Sequence, residues 1–100
     1  MIKLTNKKSN FVFFGQTFEA TPQDLIDLLG VPQYFSNTGE NKTNFGWTCE
    51  LEDGTIFSIY DWKYYKSLDL NVPITWNVGG KDITTTRKGC EVIKKILNKK

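Results

Sequence analysis

The stretch that decides the fold is Phe45-Gly46-Trp47-Thr48-Cys49-Glu50-Leu51-Glu52-Asp53-Gly54-Thr55-Ile56-Phe57-Ser58-Ile59-Tyr60. Phe45, Trp47, Cys49 and Leu51 recur at every second position, the period of a half-buried strand. Asp53-Gly54 is a strong short hairpin signal, and Thr55–Tyr60 reads as the returning strand. A two-residue turn there sets Leu51 opposite Ile56, Cys49 opposite Ser58 and Trp47 opposite Tyr60. The other face then holds Glu50 with Phe57 and Thr48 with Ile59. One face is richly apolar and the other mixed, as in an antiparallel sheet covered mainly on one side.

Downstream, Asp61–Asn71 reads as a loop or a longer hairpin connection. Ile74, Trp76 and Val78 alternate again as a strand, and Gly79-Gly80 ends it. From Ile83 the period turns helical: Thr86, Cys90, Ile93 and Leu97 share one stripe, with Ile96 beside it. Gly89 weakens that helix by about 1 kcal/mol relative to Ala and points to close packing on the sheet. Lys94, Lys95, Lys99 and Lys100 gather at its C-terminal end, where the helix dipole favours cations.

Upstream, residues 36–44 are mostly turn formers. Thr21 as cap, Pro22 at the first helical position and Asp24 in the first turn start a short helix over Pro22–Leu29. Leu25, Ile26, Leu28 and Leu29 form its apolar side, Gly30 suits the residue after its end, and Pro32 stops continuation. Phe11–Phe14 reads as a short strand ended by Gly15, and residues 1–10 as loosely ordered. The expected architecture is α+β, a single domain over residues 1–100: a small antiparallel sheet of three or four strands with two helices packed on one face.

The chain has 100 residues, 39% of them hydrophobic and 14% aromatic, with 13 Lys plus Arg against 11 Asp plus Glu and no histidine. The missing histidine removes a His-based triad, a His-ligated metal and an imidazole acid/base. Cys49 and Cys90 form neither a disulfide framework nor a metal-ligand spacing, and read as buried thiols. No apolar run approaches the roughly 18 residues of a membrane span, and the N-terminal stretch lacks a signal-peptide core. A cytoplasmic protein without a cofactor, metal site or catalytic residue is expected.

Most of the aromatics are expected in the core. The exceptions crowd into Tyr60-Asp61-Trp62-Lys63-Tyr64-Tyr65-Lys66, where aromatic planes that stack on nucleobases alternate with lysines that neutralise phosphate. Continued extension would line Tyr60, Trp62 and Tyr64 along one face. The bland reading puts Tyr60 and Trp62 in the core. Trp76-Asn77-Val78-Gly79-Gly80-Lys81-Asp82 runs from strand to helix, where backbone N–H groups favour an anion. Its bland reading is a tight turn with Asp82 or Thr84 as the cap. The C-terminal helix carries Arg87, Lys88, Lys94, Lys95, Lys99 and Lys100 against Glu91, which is also what an ordinary solvated face looks like. Glu50, Glu52, Asp53, Asp61 and Asp69 form no convincing carboxylate pair. The expected ligand-binding set is Trp62, Lys63, Tyr64, Trp76, Gly79, Gly80, Lys81 and Arg87.

Leu28-Leu29-Gly30-Val31-Pro32, Glu52-Asp53-Gly54-Thr55-Ile56-Phe57, Ile59-Tyr60-Asp61-Trp62-Lys63 and Trp76-Asn77-Val78-Gly79-Gly80 together resemble small accessory proteins of tailed phages. The likeness covers about residues 21–97. Asn77 stands where those proteins carry His, so no imidazole role carries over. The resemblance implies an anti-defence protein in the host cytoplasm that sequesters a small anionic nucleotide signal without enzymatic turnover. A homo-oligomer sharing the site would suit so short a chain. The alternative is a protein–protein inhibitor or adaptor that blocks a host protein through exposed aromatics. Nucleic acid is not an expected partner, since the net charge is only +2.

Overall fold

The computed structural model describes residues 2–7, 11 and 13–98. Lys99 and Lys100, expected at the end of the last helix, lie outside the described residues, as do Val12 and positions 1 and 8–10. The elements run β1 (Ile2–Leu4), β2 (Phe13–Ala20), α1 (Pro22–Leu29), β3 (Tyr34–Phe35), β4 (Phe45–Leu51), β5 (Ile56–Tyr60), β6 (Ile74–Gly80) and α2 (Ile83–Leu97). The sheet is antiparallel in the order β1-β4-β5-β6-β2, with β3 paired to β4 as a sixth strand.

This corrects the expected sheet of three or four strands. Two added strands account for the difference, and a third segment is longer than expected. Ile2–Leu4 pairs with Leu51, Glu50 and Cys49, inside a stretch expected to be loose. Tyr34 and Phe35 pair with Gly46 and Phe45. Gly15 bends the early strand and does not end it: its φ is +117°, and the register with β6 shifts between Phe13 and Gln16. A bulge of this kind needs the backbone freedom of glycine. Along β4, β1 and β3 occupy the same edge in tandem. The Gln33 amide bridges the gap between them, accepting from Thr48 N at 3.0 Å and donating to Thr48 O at 3.1 Å.

The helix arrangement is corrected too. α2 packs across β2, β6 and β5, while α1 approaches the sheet mainly beside β1 and sends Leu25 into the core. α1 is tied down at its ends by two core indoles. Trp76 Nε1 donates to Ala20 O at 2.9 Å just before the helix, and Trp47 Nε1 donates to Gly30 O at 3.0 Å just after it. The helix itself starts as the residues suggest, with a reciprocal capping box between Thr21 and Asp24.

The hairpin keeps Asp53-Gly54 but shifts by one residue. Gly54 N donates to Leu51 O, and Leu51 N donates to Thr55 O, both at 2.9 Å. The loop is therefore three residues long, closed by Gly54 at φ +88°. Trp47 then pairs with Ile59 and Cys49 with Phe57. A one-residue slip exchanges faces, so the apolar residues of both strands fall on one side. Phe45, Trp47 and Trp76 meet there with ring centroids 5.5–6.1 Å apart. At the hairpin tip the Asp53 carboxylate pairs with Lys88 of α2, whose ammonium holds the carboxyl well below its usual range.

Gly89 lies against the Phe57 ring, where an added Cβ would come within 2.5 Å of Phe57 Cγ. Gly89→Ala gains about 1 kcal/mol of helix propensity. It also drives a methyl into a buried ring, and overpacking of this kind costs about 1–3 kcal/mol. The expected result is a lower urea midpoint than that of the parent chain. An unchanged or raised midpoint would mean that α2 does not seat on Phe57.

Candidate functional site

At the end of β4 and β5 farthest from the Asp53-Gly54 turn, residues 36–44 and 61–68 are bound to each other by polar groups. The centre is Asp61, which has 0% exposure. Its carboxylate accepts from Asn44 N at 2.8 Å, Phe45 N at 2.7 Å and Asn44 Nδ2 at 3.0 Å. The Asn44 amide also donates to Lys66 O at 3.1 Å and accepts from Gly39 N at 3.2 Å. Asn37 and Leu68 exchange a pair of bonds, side-chain amide to main chain, at 3.0 and 2.7 Å. Lys63 N donates to Lys42 O at 2.7 Å. Gly39, at φ +81°, lies so close to the Lys66 backbone that a Cβ would stand 2.5 Å from Lys66 Cα. Buried polar groups are tolerated when each finds a partner, and here the partners join two loops distant in sequence.

That lock sustains backbone strain. Lys63 and Tyr65 have φ of +59° and +51°, a region that costs a non-glycine residue about 1–2 kcal/mol. The turn at Lys63 ends the extended run, so Trp62 and Tyr64 part company. Trp62 lies against Tyr60, ring centroids 6.0 Å apart, and is 46% exposed. The Lys42 and Lys63 ammonium groups stand 5.7 and 5.9 Å from its ring centroid. Tyr64 turns toward β6, where its hydroxyl accepts from Thr75 N at 2.9 Å. Beside the two loops, Tyr34, Glu40, Asn41, Lys42, Thr43 and Tyr65 line an open cleft of about 650 Å³.

The eight expected site residues do not come together. Trp76 has 0% exposure and no face for a ligand. Gly79 and Gly80 are buried, and a Cβ on Gly80 would meet Thr86 Oγ1 at 2.6 Å. The bland reading of that turn is what the structure contains, with Asp82 as the cap. Its carboxylate takes Thr85 N at 2.7 Å, and its backbone carbonyl takes Thr86 N at 3.1 Å. Lys81 borders a small hollow at the hairpin tip with Asp53 and Thr85. Arg87 is exposed on α2, which lines no part of the cleft. Trp62 and Lys63 stay together at the surface, while Tyr64 belongs to a separate hollow with Glu19, Lys66 and Thr75.

Sequence reasoning missed Tyr34, Glu40, Asn41, Lys42 and Thr43 as site residues. They sit on a two-residue strand and a polar loop, and reach Tyr65 only through the long-range lock. No family model, curated protein or solved structure matches the chain. Among the described residues no helix is long and apolar enough to cross a membrane.

Replacing Asp61 by Ala leaves the Asn44 and Phe45 N–H groups buried without an acceptor. The expected cost is about 3 kcal/mol in urea unfolding. Trypsin should then cut after Lys63 and Lys66 far faster than in the parent chain. An unaltered midpoint and digestion pattern would show that the loops are held by something else.

Proposed function

We propose that this protein is a non-enzymatic binder of a small anionic nucleotide, held in the cleft between the 36–44 and 61–68 loops. The observation that carries the reading is the lining itself: two exposed tyrosines, Tyr34 and Tyr65, with Lys42 at the same cleft and Asn41 and Thr43 as polar neighbours. Its volume falls within the roughly 300–1,000 Å³ usual for small-ligand sites. Tyrosine faces offer a stacking plane to any base, and a lysine ammonium offers a point charge to phosphate. Lys63 adds a second positive charge beside Trp62.

Holding, and not cleaving, is supported by the residues that are present. The chain has no histidine. Both cysteines are buried, and burial pushes the Cys49 thiol up to about 12, out of reach as a nucleophile at neutral pH. Sequestration of an immune signal, the anti-defence role, rests on the resemblance to phage accessory proteins alone.

A second reading, a protein–protein inhibitor or adaptor, is favoured by Val31 and Phe35. They are 73% and 60% exposed and close in sequence to Tyr34. Clustered apolar groups beside aromatics are what interface hot spots are made of.

Of the three tryptophans, Trp47 and Trp76 are buried, so quencher-accessible indole emission reports on Trp62. Titration with nucleoside monophosphates and cyclic dinucleotides should change that emission saturably. Tyr65→Ala should weaken binding roughly 5- to 150-fold, the range of one lost base–aromatic stack. Lys42→Ala should weaken it about tenfold and flatten its salt dependence, while Arg87→Ala should leave it unchanged. A flat titration with every nucleotide at millimolar concentration, together with a host protein retained by the parent chain but not by Phe35→Ser, would replace this reading with the second one.

A further inference from the structure

The cleft holds one group that an anionic ligand should avoid. Glu40 lines it beside Asn41 and Lys42. An ionised carboxylate only accepts hydrogen bonds, and it repels phosphate and base acceptors alike. Its presence is compatible with a nucleotide if it faces a base edge made of donors. The bases differ sharply in this respect. Guanine presents two adjacent donors, N1–H and the N2 amine, at the spacing of the two carboxylate oxygens. Adenine and cytosine each offer an amine next to a ring acceptor, and uracil offers one N–H between two carbonyls. Only guanine makes two parallel bonds to a carboxylate without bringing an acceptor against it. Charge-assisted, bidentate pairs of this kind combine strength with geometric selection.

The neighbouring groups suit the same base chemically. The loop's main chain is anchored at this point by the Glu40 backbone N–H, which donates to Thr38 Oγ1 at 3.3 Å. One residue further, Asn41 supplies an amide that can donate to the guanine O6 carbonyl, and Lys42 follows as the partner for phosphate. A carboxylate, an amide and an ammonium in the lining of one cleft thus supply the three kinds of group that the donor edge, carbonyl and phosphate of a guanine nucleotide call for. We infer that the cleft selects guanine nucleotides and that Glu40 is its specificity-determining residue. This inference rests on the nucleotide reading above and adds the identity of the base.

The test compares GMP, IMP, AMP, CMP and UMP by isothermal titration against the parent chain and Glu40→Gln. IMP keeps N1–H and lacks the N2 amine, so it removes one of the two bonds. The parent chain should bind GMP about tenfold more tightly than IMP and than the other three nucleotides. Glu40→Gln should lower GMP affinity about tenfold, bring GMP and IMP to parity, and leave AMP within about threefold of its parent value. Glu40 is exposed, and an unchanged urea midpoint for Glu40→Gln checks that the variant is folded. Equal binding of all five by the parent chain, or a GMP preference that survives Glu40→Gln, overturns the inference and leaves the nucleotide reading standing. Absence of binding by all five overturns the inference; a flat response to cyclic dinucleotides as well would bring down the nucleotide reading with it.

Discussion

A carboxylate without exposed surface, that of Asp61, accepts two backbone N–H groups and one side-chain amide from residues 44 and 45. An ionised acid removed from water is costly unless its oxygens are occupied. Here they are occupied by the first residues of β4 and the loop before it. The Asn44 side chain extends the same network to Gly39 and Lys66. One buried side chain therefore fixes where the 36–44 loop sits on the 61–68 loop. The positions of Lys42, Trp62 and Tyr65 follow from that, while Tyr34 is set by its pairing with Gly46. The strained residues Lys63 and Tyr65 sit between groups that the network holds, which is how left-handed backbone persists without glycine.

Much of the fold was legible in the residues. The alternation at Phe45–Leu51 and Ile74–Val78, the capped helix from Thr21 and the stripe on α2 each follow a local period or cap. Gly89 marks close packing on the sheet, and it meets Phe57. What was missed is non-local. β1 and β3 are only three and two residues long, too short to show a period, and both exist because β4 offers them one edge. Gly15 reads as a terminator, yet a bulge carries the strand through it.

The hairpin slip explains why the centre of the site was missed. A two-residue turn would set Asp61 opposite Gly46, on the mixed face with Thr48 and Ile59 and away from Trp47. The observed register pairs Gly46 with Tyr60, so the next position sets Asp61 opposite Phe45 on the core side. A one-residue difference in turn length thus converts an apparently solvated acid into a buried anchor. Asn44 and Asn37 look like ordinary loop formers for the same reason, since their partners lie 17 to 31 residues away. Of the expected site, Trp62, Lys63, Lys81 and Arg87 remain at the surface, but only Trp62 and Lys63 stay together there. Trp76, Gly79 and Gly80 are absorbed by the core, because a large aromatic at a sheet centre and glycines under a helix are first of all packing devices.

The central claim is that the Asp61 carboxylate locks the two loops that form the cleft. Amide hydrogen exchange at Asn44 and Phe45 tests it most directly, residue by residue and without a ligand. Both amides point at a buried acceptor and open only when the lock opens. They should exchange as slowly as the amides at the centre of β4, and in Asp61→Asn they should exchange at least tenfold faster while the β4 centre keeps most of its protection. Fast exchange of both amides in the parent chain, at the rate of an exposed loop, would contradict the account.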